Sequence, residues 1–406
     1  MKKKRGRKKK VTPRDRLLKF IKVVCLICLI VLFVEVVYIV SKNKLSNNKN
    51  NYFDGINDFQ YRDDYFIAVG SNNDNDKKIE KAKVVRYSLR KEKSWEYIYN
   101  KGYNSTFLAV DIDKDNNIIA VGSYESNDDS SDRTAVLVKY DSTGKVLFEK
   151  KFSLLDNSKF TSIKVFSDGY LVTGQSIYND MAVGDSKGGA ILLKYDKEGN
   201  LIWKTNYGSS KSASYNNLAV YDDNIYVVGK KDDSVGVVSK YSMDGKLITS
   251  TLYKNIDDIG FTGITVNSDN IIVSGAKKVS NNNINALLVK YDSGCDFVSE
   301  VLYDSGKNER YNKIINDKDK NLVVVGTIFS KSKHDEFTYE GVIGKYKSNF
   351  KKIDIINYGD NSDDYFTQVR LVDGNYLVSG YSSYKDDGYL SKFITYSDAL
   401  KILEVK

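Results

Sequence analysis

The sequence predicts an all-β protein of seven four-stranded repeats, preceded by one N-terminal transmembrane α-helix. Three observations predict this fold class. The N-terminus is strongly basic and then strongly apolar, an apolar segment that ends in glycine recurs seven times at intervals of 46 to 55 residues, and a basic residue followed by an aromatic one recurs in phase with that glycine. A period of about fifty residues is typical of architectures in which each repeat buries apolar surface against its neighbours.

The composition narrows the possible classes of function. The chain has 406 residues, with 62 Lys and Arg, 53 Asp and Glu, and a formal net charge of +9. Hydrophobic residues make up 41% of the chain, which is enough for a folded core. The single histidine excludes metal sites and dyads that need two histidines. Three cysteines exclude a disulfide framework.

Residues 1–22 are predicted to form a basic cytoplasmic tail and residues 23–40 the transmembrane helix. The stretch from Lys2 to Lys22 contains twelve Lys and Arg against Asp15 alone, and the next eighteen residues contain one charge, Glu35. As a helix, eighteen residues span about 27 Å, close to the thickness of the hydrocarbon core of a bilayer. The positive-inside rule then places the tail in the cytoplasm and the rest of the chain outside.

Residues 41–50 are predicted to form a polar linker. The protein is expected in the cell membrane, which its chain crosses once. The apolar stretch lacks the small residues of a signal-peptidase site, so a retained signal anchor is favoured over a cleaved signal peptide. Residues 1–22 carry twelve of the 62 cations and one of the 53 acids, which leaves 50 against 52 and a net charge of −2. No nucleic-acid partner is therefore expected.

The repeats occupy residues 51–406 and predict a seven-bladed β-propeller. The recurring glycines end an apolar strand, and they are Gly70, Gly122, Gly174, Gly229, Gly275, Gly326 and Gly380. The basic residues precede the aromatic at the end of a later strand, and they are Arg86, Lys139, Lys194, Lys240, Lys290, Lys345 and Lys392. Further aromatic residues at fixed distances mark two more strands. Each repeat therefore reads as strands A, B, C and D.

Only the connection from strand B to strand C varies freely in length. It spans 11 to 20 residues from the glycine to the basic residue, whereas the A to B and C to D connections are short and rich in Asp, Asn and Gly. In an up-and-down blade, alternate connections lie on the same face. The variable loops and the D to A links are therefore expected on one face, opposite the tight turns.

The repeat unit resembles bacterial extracytoplasmic propeller repeats of the PQQ-like type. Asn200 to Ser210 (NLIWKTNYGSS), followed by SDGYLVTG-like and ILLKYD-like segments, carries the resemblance, which covers about Asn51 to Lys406. Such propellers include dehydrogenases and assembly scaffolds. In this chain the strand D tryptophan of these repeats occurs only at Trp95 and Trp203, and the paired cysteines and metal ligands of quinone-dependent enzymes are absent. No cofactor is expected.

The candidate binding residues lie in three long B to C loops. They are Asp128, Asp129 and Asp132 in the first loop, Tyr178 and Asp180 in the second, and His334, Asp335 and Tyr339 in the third. The three aspartates could hold a cation, although a solvated acidic loop is the default interpretation. The histidine is the only possible imidazole base, and no motif singles out a nucleophile for it. No catalytic or metal-ligating residue is assigned.

Two other patterns favour structural roles. The repeated basic residue of strand C is expected to pair with a carboxylate of its own or the next blade. Asp111, Asp113 and Asp115 have the spacing that begins a calcium loop, but Gly122 stands where the bidentate glutamate is required. A turn is therefore favoured there over a calcium site.

These observations predict a binding or assembly scaffold rather than an enzyme. The ligand would be a protein or polysaccharide outside the membrane, recognised by the face that carries the B to C loops. The alternative is a carbohydrate-active or other propeller enzyme that uses loop carboxylates, in which two acidic side chains would converge in one pocket.

Overall fold

Short runs rich in β-branched and aromatic residues, separated by turns of Asp, Asn and Gly, form strands throughout the propeller. The computed structural model describes residues 52–74, 79–126, 133–152, 157–180, 185–208, 213–232, 234–331, 337–359, 363–384 and 388–406. The first fourteen strands in these ranges are β1 (Tyr52–Arg62), β2 (Tyr65–Asp74), β3 (Ile79–Ser88), β4 (Lys93–Tyr99), β5 (Ser105–Ile112), β6 (Ile118–Glu125), β7 (Arg133–Tyr140), β8 (Val146–Phe152), β9 (Asn157–Phe166), β10 (Gly169–Asp180), β11 (Asp185–Asp196), β12 (Leu201–Tyr207), β13 (Ser214–Tyr221) and β14 (Asn224–Asp232). The others are β15 (Val235–Ser242), β16 (Leu247–Lys254), β17 (Gly263–Asn267), β18 (Asn270–Ser280), β19 (Asn283–Tyr291), β20 (Phe297–Tyr303), β21 (Asn308–Asn316), β22 (Leu322–Lys331), β23 (Phe337–Tyr346), β24 (Lys352–Tyr358), β25 (Asp363–Val372), β26 (Asn375–Tyr384), β27 (Gly388–Tyr396) and β28 (Ile402–Val405).

Consecutive strands pair antiparallel in chain order, and we call each run of four (β1–β4, β5–β8 and so on) a unit. The first strand of each unit is its inner strand. Each inner strand contacts the inner strand of the next unit, and β25 of the last unit contacts β1 of the first, so the inner strands form a closed ring. The described residues thus form an all-β propeller, and side chains of the second and third strands fill the core between neighbouring units.

The structure corrects the prediction of a seven-bladed propeller. Five blades among the described strands are separate four-stranded sheets, whereas β5 to β12 form one eight-stranded sheet. A parallel bridge between Arg133 of β7 and Asn157 of β9 joins the two halves of this sheet. The count of seven is wrong because a sequence repeat shows where strands recur but not where neighbouring strands extend far enough to pair.

The predicted tail, transmembrane helix and linker, residues 1–50, lie outside the described residues. Across the ranges given above, no helix is long and apolar enough to cross a membrane. The regular elements in those ranges are all strands. The predicted transmembrane helix is therefore not part of the fold that the structure describes.

The recurring glycine allows the inner strand to approach the second strand of its unit. A Cβ atom added at Gly122 would lie only 1.9 Å from the carbonyl oxygen of Thr106, and one at Gly70 would lie 1.9 Å from that of Gly55. The inner strand forms a β-bulge next to this contact. The glycine is thus a steric requirement of the bulge, because no larger residue fits against the backbone there.

The bulge residue of the inner strand usually bonds to the next unit. Its side chain donates a hydrogen bond of 2.5 to 2.9 Å to a backbone carbonyl in the pairs Asn57–Phe107, Thr161–Tyr215, Asn216–Phe261, Asn312–Phe366 and Thr367–Ile56. The last pair joins the last unit to the first, so side chains close the ring. Thr262, directly before β17, makes the equivalent bond of 2.7 Å to the carbonyl of Tyr311. The bulge residue of β5 is Leu108, which cannot donate, and it lies within the eight-stranded sheet.

The connections define two faces of the propeller. The loop face carries the connections from second to third strands and the links into each inner strand, and the turn face carries the short hairpins. On the turn face, Asp113 accepts hydrogen bonds from the backbone N–H groups of Asp115 at 2.9 Å and Asn117 at 2.8 Å. This geometry closes a tight turn, as predicted for the calcium-like segment.

The basic residue near the end of the third strand ties the turn face of one unit to the next. Lys345 Nζ lies 3.0 Å from Asp317 Oδ2 in its own unit and 2.7 Å from Asp398 Oδ1 in the next. Three others donate to hairpin carbonyls of the next unit, in the pairs Arg86–Ser142, Lys240–Ser293 and Lys290–Ser348. The predicted carboxylate pairing is confirmed for Lys345 and for three further residues, in the pairs Lys139–Asp113, Lys194–Asp168 and Lys392–Asp364 at 2.9, 2.7 and 3.2 Å. Arg86, Lys240 and Lys290 make a related structural contact instead.

Candidate binding site on the loop face

The structure describes the side chain of one predicted binding residue. Tyr339 lies at the start of β23, and its backbone N–H donates a hydrogen bond of 3.0 Å to Asp363 Oδ1. Tyr178 and Asp180 lie at the end of β10, where the backbone alone is described. The remaining predicted residues lie outside the described ranges, and they are Asp128, Asp129, Asp132, His334 and Asp335.

Tyr339 belongs to a row of half-buried aromatic rings on the loop face. Its ring centroid lies 6.0 Å from that of Phe329 and 4.6 Å from that of Tyr365, which in turn lies 4.7 Å from that of Tyr381. The rings present their faces to one another across two neighbouring blades. They therefore pack the blades together, and this row is not a flat platform for a sugar.

A polar cavity of about 250 Å³ opens on the same face, between the first unit and the unit that follows it. The ends of β3, β5, β6 and β7 surround it. The side chains that line it are Glu80, Asn104, Ser105, Thr106, Ser123, Tyr124, Glu125 and Arg133. Hydroxyl, amide, carboxylate and guanidinium groups together suit a ligand that both donates and accepts hydrogen bonds.

Glu125 is held rigidly at one side of the cavity. Its Oε1 lies 2.6 Å from an Arg133 guanidinium nitrogen, and its Oε2 accepts a hydrogen bond of 2.8 Å from Asn104 Nδ2. The carboxylate is buried and the guanidinium is half-buried. Since both carboxylate oxygens are occupied and the charge is paired, Glu125 positions Arg133 and is poorly placed to attack a substrate.

Of the two acids that line the cavity, Glu80 has the carboxylate whose charge is less fully balanced by hydrogen bonds and cations. Burial raises the pKa of its carboxyl group above the usual 4.5, and the negative charge of Glu125 raises it further. A hydrogen bond with Ser71 and the positive charge of Arg133 lower the pKa but do not cancel the effect of burial. Glu80 therefore accepts a proton more readily than an exposed glutamate does.

The described residues contain no group of three or more His, Cys, Asp or Glu side chains arranged to hold a metal ion. Asp113, which begins the segment with calcium-like spacing, is instead occupied by turn N–H groups and by Lys139 Nζ at 2.9 Å. The Asp113 carboxylate therefore stabilises a hairpin of the turn face.

The sequence located one edge of this cavity but not the cavity itself. Glu125 and Arg133 border the loop that carries the predicted aspartates, and they pair across β6 and β7. An acid and a base at opposite ends of one hairpin loop could have predicted their ion pair. Glu80 and Asn104 come from two other connections, and a repeat pattern does not show which connections meet in space.

Comparisons with known proteins support the fold and leave the function open. No protein-family profile matches the chain, and no curated protein matches it. The β-propeller domain of the Trilobed protease from Pyrococcus furiosus is similar, with a TM-score of 0.50 and 14% identity over 86% of this chain and 94% of that domain. The Neurospora crassa Pan2 WD40 domain has a TM-score of 0.51 and 10% identity over 84% and 90% of the two chains.

A propeller hydrolase is also among the similar structures. The puromycin hydrolase S511A mutant complexed with PGG has a TM-score of 0.55 and 8% identity, over 87% of this chain and 54% of the hydrolase. The present chain therefore spans about half of that enzyme. At these identities the likeness shows the β-propeller fold alone.

Proposed function

We propose that the protein is a scaffold that binds its ligand on the loop face and does not transform it. The polar cavity carries this proposal, because it opens on the face whose loops vary in length from unit to unit. Loops of variable length on a rigid scaffold are the usual site of recognition. On the turn face, in contrast, short hairpins use carboxylates such as Asp113 and Asp317 in bonds within the fold.

The proposal extends to the location of the protein and the type of its repeats. The basic residues 1–22 and the apolar residues 23–40 support attachment to the cell membrane with the propeller outside. The repeat sequence supports a PQQ-like type. Protease added to intact cells should remove the propeller from a full-length protein that carries an N-terminal tag. A propeller that remains intact until the cells are opened would contradict this location.

Shortening two variable loops tests the role of the loop face. One variant shortens the segment from Ser176 to Gly188 and the other the segment from Ser330 to Gly341. Both should lose the partner that co-purifies with the wild type from membranes, identified by mass spectrometry and glycan analysis, while urea unfolding stays cooperative.

The matched control alters the turn face. Asp222 and Asp223 form a hairpin with φ values of 50° and 53°, a conformation that Asn-Gly also adopts readily. The variant with Asn-Gly at these positions should keep the partner. Retention of the partner by both loop variants would refute binding through the loop face.

The enzyme alternative has one observation in its favour. Glu80 and Glu125 line the same cavity, and burial raises the pKa of Glu80 as a general acid requires. A hydrolase predicts that the wild-type protein releases reducing ends from a polysaccharide panel and that Glu80→Gln abolishes the release. Binding of a polysaccharide without release by the wild type would favour the scaffold.

A further inference from the structure

Lys313 is a half-buried cation of inner strand β21, which belongs to the closed ring of inner strands. It follows the bulge residue Asn312. In two other units the residue at this position bonds to the next unit: Ser162 donates a hydrogen bond of 3.1 Å to Asn217 Oδ1, and Asn217 donates one of 3.2 Å to the carbonyl of Thr262. Side chains at this position therefore link neighbouring inner strands.

The Lys313 ammonium group makes no such link. The equivalent residue of the preceding unit is Gly263, which has no side chain, and a Cβ atom there would lie 3.1 Å from Lys313 Cα. In the following unit, Gln368 donates its amide N–H to Asp58, and its oxygen accepts a hydrogen bond of 3.0 Å from the N–H of Val369. Among all the residues that the structure describes, none forms a hydrogen bond or ion pair with the Lys313 ammonium group. A half-buried ammonium group without an acceptor is costly.

The charged groups that act on Lys313 already pair with each other. The Asp58 carboxylate lies 3.0 Å from the Arg370 guanidinium group, and its two oxygens also accept hydrogen bonds from the backbone N–H groups of Phe59 and Val110. Burial lowers the pKa of the Lys313 ammonium group to about 8, while Asp58 raises this pKa and Arg370 lowers it. Because Arg370 matches the charge of Asp58, the positive charge of Lys313 is not balanced by this pair.

Arg370 adds further donors beside Lys313. A guanidinium group has five N–H donors, and three of those of Arg370 bond to Gln60, Val369 and Asp58. Its two other donors have no acceptor within the described ranges. Two donors of Arg370 and the three of Lys313 therefore remain for a ligand with negatively charged oxygen atoms.

We propose that a small oxyanion binds between Lys313 and Arg370, inside the ring of inner strands. Phosphate, sulfate and carboxylate groups share the required chemistry, because their oxygens accept charge-assisted hydrogen bonds from ammonium and guanidinium groups. The anion is either a free ion or the charged end of a larger ligand. Neither cation lines the loop-face cavity, so this site is separate from the proposed function and goes beyond it.

Titration with inorganic phosphate tests this site. Full-length wild type, Lys313→Gln and Lys164→Gln are compared by isothermal titration calorimetry near neutral pH and at constant ionic strength. Lys164 is the matched control, because it is an inner-strand cation with an acid nearby, at 3.8 Å between its nitrogen and an oxygen of Asp111. Phosphate should bind the wild type saturably, at least tenfold more weakly to Lys313→Gln, and within twofold of wild type to Lys164→Gln. Equal affinity for Lys313→Gln and wild type, or no saturable binding to wild type, would overturn the proposal.

Thermal unfolding gives a second readout and shows whether Lys313→Gln keeps its fold. Without phosphate, the variant should unfold cooperatively, as the wild type does. Phosphate should raise the unfolding temperature of the wild type, because it binds the folded state, and should leave that of the variant unchanged. An equal rise in both proteins would place the bound phosphate elsewhere and reject the site.

Glycerol 3-phosphate distinguishes the two sources of the anion. Binding at least tenfold weaker than that of inorganic phosphate assigns the site to a free ion, and a smaller difference assigns it to the charged end of a larger ligand. Loop-shortened variants should bind phosphate as the wild type does. The two proposals therefore fail separately: loop-shortened variants that keep their partner reject the loop-face function, whereas phosphate binding that is independent of Lys313 rejects only the anion site.

Discussion

Acidic side chains on the turn face have lowered pKa values, whereas three acids on the loop face have raised ones. The lowered group contains Asp113, Asp141, Asp168, Asp196, Asp244, Asp317 and Asp398. The raised group contains Glu80, Asp257 and Glu309, in each of which burial is the largest cause.

The difference follows from the balance between the burial of each carboxylate and the donors and cations around it. Burial alone would raise the pKa of Asp317, but hydrogen bonds from Asn321 and Lys345 lower it below the usual 3.8. Glu309 accepts hydrogen bonds from Ser305 at one carboxylate oxygen, while its other oxygen is buried without a partner among the described residues. On the turn face, Lys345 thus joins two units through charged contacts, whereas Glu309 on the loop face keeps a carboxylate oxygen that the described fold does not satisfy.

The largest expected effect comes from removing a turn-face cation. Lys345→Met should lower the free energy of unfolding by about 3–5 kcal/mol, because it leaves the buried carboxylate of Asp317 without its cation. Urea unfolding monitored by tryptophan fluorescence measures this loss.

The matched loop-face variant is Lys159→Met. It removes an ammonium group without an ionic partner in the described structure, so the free energy of unfolding should change by less than about 1 kcal/mol. Equal destabilisation by the two variants would break the contrast between the faces.

The pH dependence of stability should have opposite signs for the two faces. For Asp317 the folded pKa lies below the unfolded value, so its contribution is present above the unfolded pKa and is lost as the pH falls through the folded pKa. For Glu80 the folded pKa lies above the usual 4.5, so stability is full below 4.5 and is lost as the pH rises through the folded pKa.

Two variants separate these contributions when urea unfolding is measured from about pH 2.5 to pH 7. Each unit of difference between the folded and the unfolded pKa changes the free energy of unfolding by about 1.4 kcal/mol. Asp317→Asn should flatten the loss of stability in acid, and Glu80→Gln should flatten the loss above pH 4.5. Steeper acid sensitivity in Asp317→Asn would contradict the assigned direction.

A smaller effect than that of Lys345→Met is expected for the hydrogen bonds between inner strands, which serve neither face in particular. Thr367→Val removes the 2.8 Å bond to the carbonyl of Ile56 and should cost about 1 kcal/mol. Leu108→Thr restores a donor at the junction that lacks one and should be neutral or stabilising by up to about 1 kcal/mol. Thermal unfolding measures both changes. A stabilising Thr367→Val would show that this bond does not contribute to ring closure.

The sequence predicted the features that depend on local geometry. The glycine beside each inner-strand bulge and the aromatic that follows the basic residue recur in every repeat, and these residues mark most strand positions. The turn at Asp113 was predictable because side-chain oxygens at that spacing can satisfy turn N–H groups. The pairing of Lys345 with carboxylates was predicted because a basic residue repeated in phase is expected to meet a carboxylate of its own or the next unit.

The features that the sequence missed depend on contacts between units. The bridge from Arg133 to Asn157 arises where two strands of different units extend toward each other, which spacing alone does not show. The loop-face cavity brings Glu80 and Asn104 together from separate connections. The predicted binding residues lie mostly in the loops, whereas the cavity forms between residues at the ends of the strands.

A carboxyl NMR titration of the full-length protein, with and without the partner that co-purifies from membranes, tests most directly whether the loop face is the binding face. Without the partner, the pKa of Glu80 should lie above 4.5 and that of Asp113 below 3.8. Saturating partner should shift the pKa of Glu80, because a ligand bound at the cavity changes the charges and the solvent around this carboxyl group. The pKa of Asp113 should not change. An unchanged Glu80, or an equal shift at Asp113, would contradict binding on the loop face.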